Sequence, residues 1–307
     1  MHITTVSILG LGAEGSVAFR ALAEKTCAVR VLARGERAER LRIQGVTING
    51  VHYPLHVSHP GAEPPPQLLI VAVKSYQLES VLDDIDAEIG PETVIMSLLN
   101  GLTSEETLGA RFGPTRIIYC MSRINAKKFG QRVEFQPVGH IYIGEKDGAV
   151  TDRIQSIFAL LDGWVPCKIS CEIVLDIWRK YMFNAACNTV QSILRGTHLW
   201  FQKLPEACAA LECVMQEIVS LAQAVGVPLS QADIRALDGY FLPYPADGMC
   251  SMAQDILEKR PTEIDTLIGE ALELGRSHGL ELPVCRFVYH MVKTLEQVNT
   301  GMLEENV

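Results

Sequence analysis

Short apolar runs alternate with amphipathic stretches along the first half of the chain. "ITTVSILG" (3–10) has the length of a buried strand, and "LGAEGSVAFRALAEK" (11–25) repeats its apolar residues at helical spacing. "AVRVLAR" (28–34) predicts a second strand and "GERAERLRIQ" (35–44) an exposed, charged helix. In "GVTINGVHYPLHV" two alternating runs meet at Asn49-Gly50, a pair that favours a tight hairpin turn. The proline-rich "HPGAEPPPQ" leads into the strand "LLIVAV" (68–73), a helix from Tyr76 and the strand "TVIMSLL" (93–99). Thr103 and Glu106 then have the spacing of a capping box opening another helix. "TRIIYC" (115–120) predicts a strand, "QRVEFQPVGHIYIGE" (131–145) an antiparallel pair, and "TDRIQSIFALLDG" (151–163) a helix. Strands alternating with helices imply crossover connections and a parallel sheet, here with an antiparallel extension. From about residue 171 the pattern is helical throughout: 172–195, 204–225, 230–240, 252–259, 262–278 and 283–297, with Gly226 and Gly279 at C-terminal stops. The expected fold is α/β: a doubly wound sheet over residues 1–169, then an all-helical domain over 170–307, with the boundary near Cys167–Ser170.

Composition narrows the function classes. A length of 307 residues suits two domains, and 48% hydrophobic residues suffice for their cores. A formal charge of −9 with no long Lys/Arg run argues against general nucleic-acid binding. No apolar stretch approaches bilayer length, and the N-terminus enters a strand without a signal pattern, so no membrane partner and a cytoplasmic location are expected. Nine cysteines, an odd number, read as reduced thiols. No metal is expected: Cys167 and Cys171 lack a second ligand pair, and His52, His56 and His59 read as solvated loop residues.

"GLGAEG" sets Gly10, Gly12 and Gly15 in G-x-G-x-x-G between a strand and an amphipathic helix. The first glycine allows a tight turn, the second close approach of backbone to a pyrophosphate, and the third close packing of helix on strand. The helix N-terminus offers N–H groups to phosphate. Gly10, Leu11, Gly12, Ala13, Glu14 and Gly15 therefore form the expected dinucleotide loop of a Rossmann-type domain, although Glu14 is an acid beside it. Where an NAD site has an acid after its second strand, this chain has Arg34, which suits a 2′-phosphate and favours NADP; Arg37 or Arg40 could assist. Lys74 and Asn100 begin two further loops at the carboxyl ends of strands, where ligands bind in open α/β sheets.

"RKYMFNAACNTV" (179–190) places Lys180, Asn184 and Asn188 four residues apart on one face of a helix. Buried polar groups need partners, and either another helix or a polar substrate could meet this row. A lysine facing a ketone can donate a proton as hydride arrives, and asparagines can orient a carboxylate and hydroxyls without adding charge.

These residues carry a family likeness. "GLGAEG", Lys74 in "VAVKSYQ", "NGL" (100–102), "WRKYMFNAACN" and "SMAQDILEKRPTEID" (251–265) recur in order along nearly the whole chain, which resembles the ketopantoate reductase (2-dehydropantoate 2-reductase) family. The resemblance implies NADPH-dependent reduction of ketopantoate to (R)-pantoate, a step toward pantothenate and coenzyme A. It also implies a helical C-terminal domain like that of 6-phosphogluconate dehydrogenase. By the family pattern Lys180 is the general acid, and Asn184, Asn188, Ser251 and Glu263 hold the substrate. Asn100, Lys74 and Glu263 lie at the edge shared with the cofactor, which Gly10–Gly15 and Arg34 bind. Ser251 is equally placed to cap the helix at 252–259, and Glu263 to face a helix dipole. The chain departs from the family pattern at Glu14, at Leu99 and across "YCMSRINAKKFGQ" (119–131), where Arg123 could alter substrate preference.

Three other readings compete: reduction of another 2-keto acid, a 3-hydroxyacid dehydrogenase of the 6-phosphogluconate type, and a silent NADP-binding sensor. The partners expected are a small keto acid and, through exposed apolar faces on the last helices, a second subunit in a homodimer.

Overall fold

In the computed structural model the residues described are 3–124, 126–135, 139–163, 166–237, 241–242 and 244–301. They divide into two units, Met1–Asp176 and Ile177–Val307. The division falls within a long helix, a few residues past the boundary expected near Cys167–Ser170, where the chain forms a short strand.

In the first unit β1 (Thr5–Leu9), α1 (Ala13–Leu22), β2 (Ala28–Leu32) and α2 (Gly35–Gln44) run in the expected alternation. The hairpin of β3 (Val46–Ile48) and β4 (Val51–Tyr53) turns at Asn49 and Gly50, both with positive φ. Then come β5 (Val57–Ser58), β6 (Leu68–Val71), α3 (Leu82–Glu88), β7 (Val94–Ser97), α4 (Ser104–Phe112) and β8 (Ile117–Ser122). β9 (Ala126–Phe129), β10 (Arg132–Phe135), β11 (Ile141–Gly144), α5 (Asp152–Leu161) and β12 (Cys167–Ile169) complete it.

The main sheet has the order β12-β11-β8-β7-β6-β1-β2-β5. It is parallel except where β11 runs against β8. The chain winds outward from β1 in both directions, so the strand order reverses between β1 and β6. Burial on both faces explains the unbroken apolar run of β6, where Leu68, Leu69, Ile70 and Val71 are all inaccessible. One polar cluster is set into this core. Arg30 donates to Ser7 Oγ at 2.8 Å, to Glu88 Oε1 at 2.6 Å and to the Pro64 carbonyl at 2.7 Å, while Glu88 also accepts from the Gly61 N–H at 2.9 Å. A buried ion pair persists when its remaining groups are bonded in this way.

A smaller sheet, β4-β3-β10-β9, packs on α1, with Phe19 edge-on to Tyr53. It corrects the expectation for 131–145. β10 and β11 do not pair with each other; β10 joins β9 and β3 in the small sheet, and β11 joins β8 and β12 in the large one. Residues 136–138 of that stretch lie outside the described residues. The helix expected from Tyr76 begins as two 3₁₀ turns, Ser75–Gln77 and Glu79–Val81, before α3. Nor does Thr103 form a capping box: it makes no side-chain cap, and Glu106 instead accepts from the Tyr119 hydroxyl at 3.0 Å.

The long helix α6 (Ile173–Leu194) leads into α7 (His198–Lys203), α8 (Pro205–Ala224), α9 (Gln231–Arg235), α10 (Ser251–Leu257), α11 (Glu270–Ser277) and α12 (Pro283–Asn299). The sequence pattern missed the short α7. α9 is shorter than the expected 230–240, whose last three residues lie outside the described ones. The helix expected over 262–278 is a π turn, Asp265–Gly269, running into α11. Gly226 and Gly279 stand at helix ends with φ of 82° and 68°, as their spacing suggested. Against the expectation that no stretch reaches bilayer length, α8 is long and apolar enough by length and composition. Its Leu211, Val214, Ile218 and Leu221 are buried, in a helix packed against α7, α9, α11 and α12.

Candidate active site

The loop from Gly10 to Gly15 leaves β1 at the point where strand order reverses, the place where open α/β sheets bind ligands. Gly10 has φ of 98°, and a Cβ on it would stand 2.6 Å from the Ala72 backbone. A Cβ on Gly15 would lie 2.0 Å from the Gly10 carbonyl oxygen, so helix and strand meet there as only glycine permits. Gly12 is different: nothing approaches its Cβ position within 3.8 Å, and it opens α1 in an extended conformation. Its backbone is thus accessible to a ligand, and α1 supplies N–H groups beyond it. This cradle fits a dinucleotide pyrophosphate. Glu14 is half-buried in the first turn of α1.

Arg34 caps β2 at the start of α2 in extended backbone. Its guanidinium meets Asp84 through Nε at 2.7 Å and through a second nitrogen at 2.7 Å. Lys74 and Asn100 follow the adjacent strands β6 and β7, so both stand at the carboxyl edge with the glycine loop. Behind the Asn100 loop, Ser97 and Ser104 share a hydrogen bond of 2.8 Å, and the Ser104 hydroxyl donates to Glu105 at 2.7 Å. Burial pushes the Glu105 carboxyl up to about 7 against those hydrogen bonds. In the segment 119–131, Arg123 is exposed, with its guanidinium over the Tyr142 ring. Lys128 reaches the carbonyl of Leu11 in the glycine loop.

In the second unit α6 carries Lys180, Asn184 and Asn188, with Tyr181, Met182, Ala185, Ala186 and Cys187 buried around them. Lys180 and Asn184 are half-buried and Asn188 is buried. The Asn188 amide donates to the Asn184 carbonyl at 2.9 Å. Its oxygen accepts from the Ser251 hydroxyl at 3.3 Å and the Met252 N–H at 3.2 Å. Gln191, one turn further on, accepts the Cys250 N–H at 2.7 Å. Two side chains of α6 therefore cap α10. Cys250 is the N-cap residue, so Ser251 is the first helical residue and not the cap. Glu263 precedes the π turn, and its backbone carbonyl accepts the Leu267 N–H at 2.9 Å. Tyr181 donates to the Leu267 carbonyl at 2.6 Å, tying α6 to that turn. Glu296 of α12 accepts both the N–H and the hydroxyl of Thr262, at 2.8 Å and 2.7 Å. The structure thus joins Asn184, Asn188 and Ser251 directly, and pins the chain on both sides of Glu263.

A cavity of about 300 Å³ lies in the same unit, walled by Phe183, Phe201, Phe241, Leu211, Met215 and Ile234. Phe183 stands three residues after Lys180 on α6.

Two family models match the chain: "Ketopantoate reductase PanE/ApbA" over residues 6–148, and "Ketopantoate reductase PanE/ApbA C terminal" over residues 172–296. The chain belongs to the ketopantoate reductase family. This is a family of nicotinamide-dependent oxidoreductases. Among curated members, the 2-dehydropantoate 2-reductase of Archaeoglobus fulgidus is 26% identical over 310 residues, covering 96% of this chain and 99% of the relative. The fold is shared with a D-mandelate dehydrogenase solved with NADH and anilino(oxo)acetate, at TM-score 0.87 and 23% identity, over 97% of this chain and 100% of that one. It is shared also with the 2-dehydropantoate 2-reductase of Methylococcus capsulatus, at TM-score 0.84 and 23% identity, over 96% and 97% of the two chains.

Within this ketopantoate reductase family member, sequence reasoning missed Tyr181, Gln191, Glu296 and Lys128. Gln191 lies seven residues, or about two turns, after Asn184 and so on the same face, a step of three past Asn188 where the row's interval of four points to Ser192. The other three act through partners distant in sequence and left no local signature.

Proposed function

We propose that this protein reduces the 2-keto group of ketopantoate to (R)-pantoate with NADPH, a step toward pantothenate and coenzyme A. In this reading residues 1–169 hold the cofactor and 170–307 the keto acid, with Lys180 as general acid. The observation that carries the reading is the α6 row Lys180, Asn184 and Asn188, with Asn188 bonded to the Asn184 backbone carbonyl and to Ser251 of α10.

Bound reduced nicotinamide supplies the hydride. The residues of this chain do the rest. Gly10–Gly15 offer backbone to the pyrophosphate, Arg34 offers charge to a 2′-phosphate, and Lys74, Asn100 and Glu263 border cofactor and substrate. The Lys180 ammonium donates its proton to the carbonyl oxygen as negative charge develops there. Asn184 and Asn188 orient the substrate, Ser251 its carboxylate, and Glu263 accepts from its terminal hydroxyl. Asn188 is already bonded through both ends of its amide, so it holds Ser251 and the Asn184 backbone in place as well. A homodimer is supported by the exposed stripe Phe287, Met291 and Val298 on α12.

Initial rates of NADPH and NADH oxidation with ketopantoate test the proposal, with turnover expected for NADPH. Lys180→Ala is expected to keep NADPH affinity within about threefold while lowering kcat by about two to four orders of magnitude, the usual weight of a general acid. Weakened NADPH binding with retained turnover refutes that role. A second reading, reduction of a 2-keto acid with a bulkier apolar group, is suggested by the fold shared with a D-mandelate dehydrogenase solved with NADH and anilino(oxo)acetate. A higher kcat/KM for phenylglyoxylate than for ketopantoate would select it.

A further inference from the structure

Lys128 is an unusual residue for its place. In β9 the exposure alternates, with Ala126 and Lys128 turned inward and Lys127 and Phe129 outward. Across the ladder Ala126 faces Phe135 and Lys128 faces Val133, both buried core residues. The small sheet thus directs an ammonium group toward α1 from its core side, where an apolar side chain would be ordinary. That ammonium donates to the carbonyl of Leu11, the residue between the first two glycines of the loop.

Two more cations lie near Lys128. Arg37 and Arg40 stand on α2, the helix that follows the β2 position where dinucleotide sites distinguish a ribose hydroxyl from a 2′-phosphate. Burial lowers the Lys128 pKa to about 8, and Arg37 and Arg40 are close enough to add to the shift. Their neighbours on α2 are neutralised, Arg34 by Asp84 and Arg42 by Glu39. Among the described residues no carboxylate pairs with Arg37, Arg40 or Lys128. Three mutually repelling cations, one of them bonded to the glycine loop, are poorly arranged for stability and well arranged for a dianion.

We propose that Lys128, with Arg37 and Arg40, forms the subsite for the 2′-phosphate on the adenosine ribose, Lys128 exchanging the Leu11 carbonyl for phosphate oxygen. This rests on the reading of Gly10–Gly15 as an NADPH loop and adds to it a residue from a different sheet. Arg34 enters the same site with part of its charge already answered by Asp84, so its share is the smaller.

Binding titrations on the full chain with NADPH and NADH test this, comparing wild type, Lys128→Met, Lys128→Arg, Arg34→Ala and the double variant Arg37→Ala/Arg40→Ala. Loss of one charge-assisted hydrogen bond predicts about a 10- to 100-fold rise in the NADPH Kd for Lys128→Met. NADH is expected to change by less than about twofold and Lys128→Arg to recover most of the affinity, since either cation can reach a phosphate. The double variant, altered only on an exposed helix face, is expected to show the same selective loss, and Arg34→Ala a smaller one. Adenosine 2′-monophosphate should compete in wild type and not in Lys128→Met. Equal losses for NADPH and NADH would mean that Lys128 merely props the loop and would overturn the proposal, as would unchanged NADPH binding in Lys128→Met and in the double variant. Wild-type protein that binds neither dinucleotide would overturn the cofactor reading itself, and the 2′-phosphate subsite with it.

Discussion

Glu105 shows how far one side chain can be moved by its surroundings. Held 5% exposed in α4, it titrates at about 7 because burial outweighs the Ser104 hydroxyl and the backbone groups that favour its anion. Between the ordinary 4.5 and about 7, the folded protein retains a proton that the unfolded chain has released. Stability therefore falls as pH rises through that window, by about 3 kcal/mol in all from a shift of this size. Glu105→Gln is expected to raise stability at pH 8 by about 1–3 kcal/mol and to flatten its dependence between pH 5 and 7. Urea unfolding at pH 5 and pH 8 measures both; a variant less stable than wild type at pH 8 would show that the anion is needed. No sequence pattern reveals such a residue, since "SEET" reads as an exposed helix start. Gly10 and Gly15 were legible because a positive φ at the first and approaches of 2.0 to 2.6 Å at both admit no other residue. Lys180, Asn184 and Asn188 were legible because helical spacing aligns them, whereas Lys128 declares itself only once β9 is seen against α1.

Among elements, the π turn at Asp265–Gly269 is the least regular segment near the polar row, and π turns concentrate at functional sites. Tyr181 holds it from α6 by one hydrogen bond to a backbone carbonyl. Tyr181→Phe leaves that buried carbonyl without its donor, which costs about 1–2 kcal/mol. The expected kinetic signature is a raised KM for the keto acid with the NADPH KM unchanged, because the glycine loop belongs to the other unit. Steady-state kinetics with each substrate varied checks this; a change confined to NADPH would discount the role given to Glu263. Strands and long helices were readable from length and apolar pattern, β6 as a short unbroken apolar run and α6 as a long helical stretch. Pairing was not. The run 131–145 looked like a hairpin, yet its two halves serve different sheets, because register is decided by partners dozens of residues away. The 3₁₀ turns after Lys74 escaped notice for a related reason: their local sequence is compatible with an ordinary helix.

The molecule carries a formal charge of −9, yet Arg37 and Arg40 stand close enough to Lys128 to act on it, so its net charge misrepresents the local field there. Each unit holds its own set of candidate ligands, and this predicts a divided response to binding. Hydrogen exchange on the full chain with NADPH alone should show protection at 10–16, 34–40, 72–77 and 126–129. Exchange in α6 and α10 should slow appreciably only when a keto acid is also present. Protection of α10 by NADPH alone would contradict the division of roles.

The parallel pairing of β3 with β10 has a consequence for synthesis. Thr47 leaves the ribosome roughly 85 residues before Arg132, its partner in the ladder. At about 5–20 residues per second, the β3–β4 hairpin waits on the order of 4 to 17 seconds with its β3 edge not yet covered by β10. During that interval the nascent chain has its glycine loop but neither β10 to cover the edge nor Lys128 to reach Leu11. Chaperone contact and misfolding on the ribosome should therefore concentrate at Val46–Ile48, and slowing translation across residues 58–126 should lengthen that exposure.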